Sequence, residues 1–286
     1  MSEKGTNNKR IPGCIMQRDK NYRVIRLRIL AGNINGDQMK KISDIAEKYG
    51  RGYVGLTTRL GIEIPWVPAD SVSSAIQELK DAGLVVGSTG ATVRSIVACK
   101  GTICVYGLGD TQLLCRRLDE AYFGLAVPAK FKIGIVGCPN NCAKAQLNDL
   151  GFMGQCVPKI ENDKCIECEA CISACKVKAI AKTNGGIEIN RSKCINCGSC
   201  ICQCPTGALS VERQGFGVYL GGRFGREYRM GKRVKGLYTI EEAVELTGRI
   251  LDYYKNHAEP KERFGDMVER LGFDNVVAQL GMSHTE

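Results

Sequence analysis

A chain of 286 residues, 44% of them hydrophobic, has room for two or three small domains with their own cores, and no apolar run in it reaches the roughly 18–20 residues of a membrane span. Residues 1–10 are polar and lack the apolar stretch of a secretory signal, so the expected compartment is the cytoplasm, where 16 cysteines rich in C-x2-C spacing point to metal ligation rather than disulfides. The formal charge of +10 does not by itself indicate nucleic acid: the nearest basic run, Arg223, Arg226, Arg229, Lys232, Arg233 and Lys235, is broken by glycines and has little aromatic interleaving.

In chain order, residues 1–18 read as a flexible arm. Over residues 22–30 the apolar positions Val24, Ile25, Leu27 and Ile29 predict a strand, with Arg26 and Arg28 on one shared face. Residues 36–49 have Met39, Ile42, Ile45, Ala46 and Tyr49 spaced for one face of a helix. Strands at 52–57 and 61–67 and a helix at 69–82, capped by Asp70 or Ser71, complete a β-α-β-β-α unit over residues 19–90.

A second unit covers residues 91–157. It holds an extended segment at 93–99, a helix at 111–123, a strand at 132–137, a helix start after Cys142 and a strand near 151–157. Lys130 and Lys132, i,i+2 on a predicted strand, point to one face together. A cysteine-rich block at 158–210 interrupts this unit. It resumes over 211–286 with a returning strand at 218–222 and helices at 240–256 and 262–271.

The block is an internal repeat. Cys165, Cys168, Cys171 and Cys175 recur 29 residues later as Cys194, Cys197, Cys200 and Cys204, the last followed by Pro205. In two-cluster ferredoxins the first three cysteines of a run hold one four-iron cluster and the fourth serves the other. The expected sets are therefore Cys165, Cys168, Cys171 and Cys204 for one [4Fe–4S] cluster, and Cys194, Cys197, Cys200 and Cys175 for the second. Zinc is the competing reading of C-x2-C pairs; the doubled three-plus-one run and the Cys-Pro ending favour iron–sulfur. Cys14, Cys156 and Cys202 read as packing or incidental thiols, and His257 and His284 receive no role. No Walker loop is present and no G-x-G-x-x-G follows a strand, so nicotinamide and flavin are not expected on this chain. Its electrons must come from an external donor, a ferredoxin or a flavoprotein subunit.

A third set is split, Cys99 and Cys104 on one segment and Cys138 and Cys142 on another. The segments Thr57-Thr58-Arg59, Arg94-Ser95-Ile96-Val97-Ala98-Cys99, Lys130-Phe131-Lys132 and Gly137-Cys138-Pro139-Asn140-Asn141-Cys142, with Leu220-Gly221-Gly222-Arg223 beyond the block, stand in an order that resembles the sirohaem-dependent sulfite and nitrite reductases. With the ferredoxin-like insert, the chain is most similar to the catalytic, sirohaem- and ferredoxin-containing subunit of the anaerobic sulfite reductases.

The resemblance implies an α+β fold: a sulfite/nitrite reductase ferredoxin-like half-domain, then a sirohaem/[4Fe–4S] α/β domain carrying an inserted two-cluster ferredoxin domain. It implies three [4Fe–4S] clusters and a sirohaem, the third cluster on Cys99, Cys104, Cys138 and Cys142, with the Cys142 thiolate also axial to the sirohaem iron. Arg28, Arg94, Lys130 and Lys132 would surround the distal face, hold sulfite and feed protons to its departing oxygens. Arg59 and Arg223 would hold sirohaem carboxylates. Guanidinium and ammonium groups suit a macrocycle with eight carboxylates and a dianionic substrate. Three clusters at about −2 each would also bring +10 down to about +4.

The implied activity is the six-electron reduction of sulfite to sulfide in an anaerobe. Nitrite reduction to ammonia would use the same machinery. A non-catalytic electron-transfer subunit and a nucleic-acid protein with structural clusters are readings from other classes. Three departures from the family pattern bear on this. Cys99-x4-Cys104 is one residue shorter than the usual C-x5-C, so its loop closes tighter or another ligand serves, Cys115 being the nearest spare thiol. Leu60 replaces a glutamine, and Leu30-Ala31-Gly32 replaces Pro-Gly-Gly. Many relatives fuse two copies of this unit where the chain has one, so a homo-oligomer is expected.

Overall fold

The computed structural model describes residues 11–282; residues 1–10 of the expected arm, and His284, lie outside the described residues. The remainder of that arm is structured, because β1 (Cys14–Met16) pairs with β2 (Tyr22–Arg28). Helix α1 (Gly36–Tyr49) begins where Asn35 caps it. The Asn35 side chain accepts the Gln38 N–H at 2.8 Å, and the Gln38 side chain accepts the Asn35 N–H at 3.3 Å. β3 (Gly55–Leu56), β4 (Ile62–Pro68), α2 (Val72–Asp81) and β5 (Val85–Val86) follow. The sheet order is β1-β2-β4-β3, with β5 also on β2. Ile42, Ile45, Ala75 and Leu79 of the helices pack on Ile25, Leu27, Ile62 and Ile64 of the strands, which leaves Arg26 and Arg28 on the other side of β2.

The second unit holds β6 (Val97–Ala98), α3 (Thr111–Tyr122), β7 (Ile133–Val136) and β8 (Leu150–Ile160). Where a helix was expected after Cys142 there is a single 3-10 turn, Ala145–Leu147. Asn141 and Lys144 take left-handed φ values of 55° and 54°, which no continuing helix tolerates.

From β8 the chain enters the cysteine block, with α4 (Ala170–Ala174), β9 (Ile180–Thr183), β10 (Gly186–Ile189) and α5 (Ser199–Gln203). It returns as β11 (Leu209–Leu220), antiparallel to β8 from Leu209 opposite Ile160 to Leu220 opposite Leu150. The block is therefore the tip of one long ribbon, and the returning strand is longer than the expected 218–222. A hairpin of β12 (Arg223–Phe224) and β13 (Tyr228–Arg229), then β14 (Lys232–Tyr238), α6 (Ile240–His257), α7 (Phe264–Leu271) and α8 (Phe273–Gln279) complete the described chain.

The second sheet is mixed, in the order β14-β11-β8-β7-β6; β6, β7 and β8 run parallel and the ribbon strands antiparallel. Its core sets Leu114 and Leu118 of α3, Leu246 and Ile250 of α6, Phe264 and Val276 against Ile133, Ile135, Phe152 and Val218. Among the described residues no helix is long and apolar enough to cross a membrane.

Candidate functional site

A cavity of about 340 Å3 is lined by Arg26, Thr57, Thr58 and Arg59 of the first unit and by Arg94, Ser95, Lys130 and Lys132 of the second. Five cations and no carboxylate face it. Arg59, from the turn between β3 and β4, reaches across to the second unit: Nη1 donates to Asn148 Oδ1 at 2.8 Å and Nη2 to the Ser95 carbonyl at 3.0 Å. Arg94 donates through Nη1 and Nη2 to the Ser88 and Gly90 carbonyls, both at 2.8 Å, while its buried Nε has no partner. Lys130 and Lys132 both line the cavity, but from the segment before β7 rather than from the strand that the sequence predicts for them. The Lys132 N–H donates to Asp149 Oδ2 at 2.9 Å, and its carbonyl accepts the Leu150 N–H at 3.1 Å.

Crowding these charges together lowers their proton affinity. Burial, then Arg59, Lys130 and Arg263, push the Lys132 ammonium down to about 8. Burial, with Arg94 and Arg26 adding, brings Arg59 down to about 10 against the pull of Asp149. Burial and neighbouring cations lower Lys130 and Arg94 as well. Like charges held this way are relieved by an anion entering the cavity. The orphaned Arg94 Nε and the absence of a lining carboxylate fit an anionic occupant, including a carboxylate-bearing macrocycle and a small dianion.

Two expected members lie elsewhere. Arg28 turns to α3, where Nη1 is 2.9 Å from Asp119 Oδ2 and the guanidinium lies 4.6 Å over the Phe123 ring. The physical cause is Asp119, only 5% exposed, which needs a counter-charge. Arg26, held by Glu63 through Nε at 2.7 Å, lines the cavity in its stead. Arg223 is also off the cavity, with Nη1 at 2.8 Å from Asp266 and 2.7 Å from Glu227. The sequence reading missed Asn148, Asp149 and Arg26. The first two leave one signal, a polar pair directly ahead of the apolar strand that begins at Leu150.

The third cysteine set gathers at the ends of β6 and β7. Cys99, Cys104 and Cys142 all lie close enough to Cys138 to raise its thiol, after burial, the largest cause. The short Cys99-x4-Cys104 loop closes through a 3-10 turn, Gly101–Ile103, with the Cys104 N–H on the Gly101 carbonyl at 3.3 Å. Cys115, the spare thiol, is instead on the buried face of α3, where burial pushes it up to about 12. The Gly137 N–H donates to Cys99 Sγ at 3.1 Å. Glycines make the closure possible: a Cβ on Gly107 would sit 1.8 Å from the Gly101 oxygen, and one on Gly137 2.7 Å from the Gly101 Cα.

In the block, the sequence repeat recurs in backbone conformation. Glu167 and Asn196, Glu169 and Gly198, and Lys178 and Gly207, pairs 29 residues apart, all take positive φ between 53° and 70°. Such turns direct successive N–H groups into a concavity that favours negative charge. Ala179 N–H donates to Cys175 Sγ at 3.2 Å and Asn196 N–H to Cys194 Sγ at 3.5 Å. At Cys204 burial is outweighed by the amides of Leu209, Thr206 and Ala208 and the Thr206 hydroxyl, which hold its thiol below the ordinary range. Cys165, Cys168, Cys171 and Cys204, the crossed set expected from the spacing, line one small cavity with Ile166 and Ile187. Amide hydrogens aimed at the Cys175, Cys194 and Cys204 sulfurs suit thiolates that hold an iron–sulfur cluster.

Comparison with known proteins adds the following. Residues 89–286 match the family described as nitrite and sulphite reductase 4Fe-4S domain, and residues 15–82 the nitrite/sulfite reductase ferredoxin-like half domain. A coenzyme F420-dependent sulfite reductase of Methanocaldococcus jannaschii is 37% identical over 90% of this chain and 42% of its own length. An anaerobic sulfite reductase subunit of Salmonella typhimurium is 36% identical over 55% of this chain and 50% of its own length. The chain thus spans half or less of either relative. The crystal structure of dissimilatory sulfite reductase I shares the fold, with a TM-score of 0.76 at 20% identity over 92% of this chain and 70% of that one.

Proposed function

The chain belongs to the nitrite and sulphite reductase family, and from that premise we propose that it carries out the six-electron reduction of sulfite to sulfide. The observation that carries this reading is the cavity faced by five cations and no carboxylate. When bound, a sirohaem coupled to a [4Fe–4S] cluster on Cys99, Cys104, Cys138 and Cys142 would supply an iron for the substrate and pass on electrons delivered by the external donor. The chain's own residues do the rest. Arg94, Lys130 and Lys132, with Arg26 in place of Arg28, hold the sulfite oxygens. Lys132, poised near 8, is the acid best matched to neutral pH for protonating oxygens that leave as water. Arg59 would hold a sirohaem carboxylate, and the exposed Cys142 thiol would link the cluster to the sirohaem iron. Arg223, already held by two carboxylates, is not assigned there.

The block at 158–210 serves as a two-cluster ferredoxin, with the two crossed cysteine sets as ligands, and receives single electrons from an external ferredoxin or flavoprotein subunit. Two copies of the chain pair, so that the basic set of one faces the cluster and sirohaem of the other. Sulfite is favoured over nitrite because a dianion gains more than a monoanion from an all-cationic cavity.

The test is the ultraviolet–visible spectrum of anaerobically purified protein, with iron counted and both anions assayed. A Soret band with a separate red band, about thirteen irons per chain and faster turnover of sulfite are expected. A cluster shoulder alone with about twelve irons, from a host that makes sirohaem, would leave an electron carrier.

A further inference from the structure

Beneath the cavity lies a buried carboxylate that the proposed reaction does not use. Asp149 is 1% exposed; its Oδ2 accepts the Lys132 N–H at 2.9 Å, and both its oxygens lie 2.9 Å from Arg263 Nη2. Arg263, directly ahead of α7, is well buried too. The residues on either side work on the same cavity. Asn148 holds Arg59, and Leu150 donates its N–H to the Lys132 carbonyl. Lys132 is thus fixed at both its main-chain groups by Asp149 and Leu150.

We infer that Asp149 is a positioning residue for Lys132. It fixes the backbone from which the ammonium enters the cavity, and it supplies the negative charge that lets Lys132 keep its proton among Arg59, Lys130, Arg94 and Arg263. Arg59, Lys130 and Arg263 push the Lys132 proton off, and Asp149 opposes them. The same carboxylate opposes the cations at Lys130, where Arg94 and Arg223 also act, and it opposes burial at Arg59. Tyr254, whose hydroxyl accepts the Ala129 N–H at 3.1 Å, is raised by burial and by Asp149 and stays neutral beside them. Lys132, Lys130 and Arg59 of the cationic face are therefore answered from below by one carboxylate, placed on the lysine assigned the proton, while Arg26 has Glu63.

This inference rests on the sulfite reading for its purpose, but its test needs no turnover. The probe is the titration of Lys132 in the full chain, followed by NMR of 13C-methylated lysines and assigned by the signal lost in Lys132→Arg. Asp149→Asn keeps an acceptor oxygen for the Lys132 N–H and removes the charge, so the Lys132 midpoint is expected to fall by about one pH unit or more. An unchanged midpoint overturns the inference. If Arg263 left unpaired prevents folding, the same step is taken in Arg263→Gln, whose amide can still donate to Asp149. Adding Asp149→Asn there is expected to lower the midpoint by a similar amount, and equal midpoints overturn the inference. A chain whose Lys132 responds as expected yet binds no sulfite would sink the proposed reaction and leave the role of Asp149 standing.

Discussion

A lysine that loses its proton near pH 8 behaves differently in the folded and unfolded chain. Unfolded, Lys132 keeps its proton to about 10.4; folded, it releases it near 8. Between those values the unfolded state binds the extra proton, so this group makes the fold more stable as pH rises through the window. Activity should run the other way, because the ammonium proposed to hold and protonate sulfite is lost there. Sulfite turnover is expected to fall as pH rises past about 8, and Lys132→Gln to lose roughly 10²–10⁴-fold in kcat. A flat kcat profile from pH 7 to 9.5, roughly spanning that midpoint, would remove Lys132 from proton delivery. Arg28 separates from the cavity by a different measurement. Its partner Asp119 is buried with Oδ1 lacking a hydrogen bond, and burial, the larger effect, raises that carboxyl against Arg28. Arg28→Ala should therefore cost about 3 kcal/mol in denaturant unfolding with sulfite affinity nearly unchanged. The opposite pattern, full stability and lost affinity, would return Arg28 to the substrate.

At the scale of elements, the closure of the third cysteine set depends on backbones touching where side chains would stand. Gly101, Gly107, Gly137 and Gly154 interlock: a Cβ on Gly154 would lie 2.3 Å from the Gly137 oxygen, and the Gly107 position is tighter still at 1.8 Å from the Gly101 oxygen. Gly107→Ala is expected to destabilise by at least the roughly 1–3 kcal/mol of an overpacked core and to lower iron content by about four per chain, while the cysteines remain. Iron analysis with a thermal melt checks it, and a fully loaded variant would sink the idea. What could be read in advance follows the physics of each element. α1 is legible to the residue because Asn35 and Gln38 form a cap ahead of a clean apolar stripe. The repeat in the cysteine block is legible because its spacing is local, and it recurs in the backbone conformation. β14 is not, since Lys232, Arg233 and Lys235 hide a strand paired only with the distant β11. α8 is missed because Gly272, at φ 82°, turns one apolar run into two short helices. Asp149 and Arg263 are 114 residues apart, and nothing local announces a long-range ion pair.

For the whole molecule, the decisive question is how many chains complete one site. The loop around Cys104 carries Ile103 and Val105 at 82% and 92% exposure, with Tyr106 beside them also exposed. Three exposed large apolar side chains flanking Cys104 are costly in water and gain when a second surface covers them. The cations Arg94, Lys130 and Lys132 line a cavity whose described lining includes none of the third-set cysteines. Pairing two copies brings the two halves together without any change of fold, and it makes a functional prediction that a monomer cannot meet. A Lys130/Lys132 double variant retains its cysteines, and a Cys142 variant retains its cations; each alone should be inactive. Mixed under conditions that allow exchange, they should recover part of the parent activity, because one of the two sites in a hybrid pair then has both intact halves. Recovery should disappear on dilution below the dissociation constant, as mass action requires. Absence of recovery, with exchange verified by mass measurement of a tagged hybrid, would mean that each chain builds its site alone.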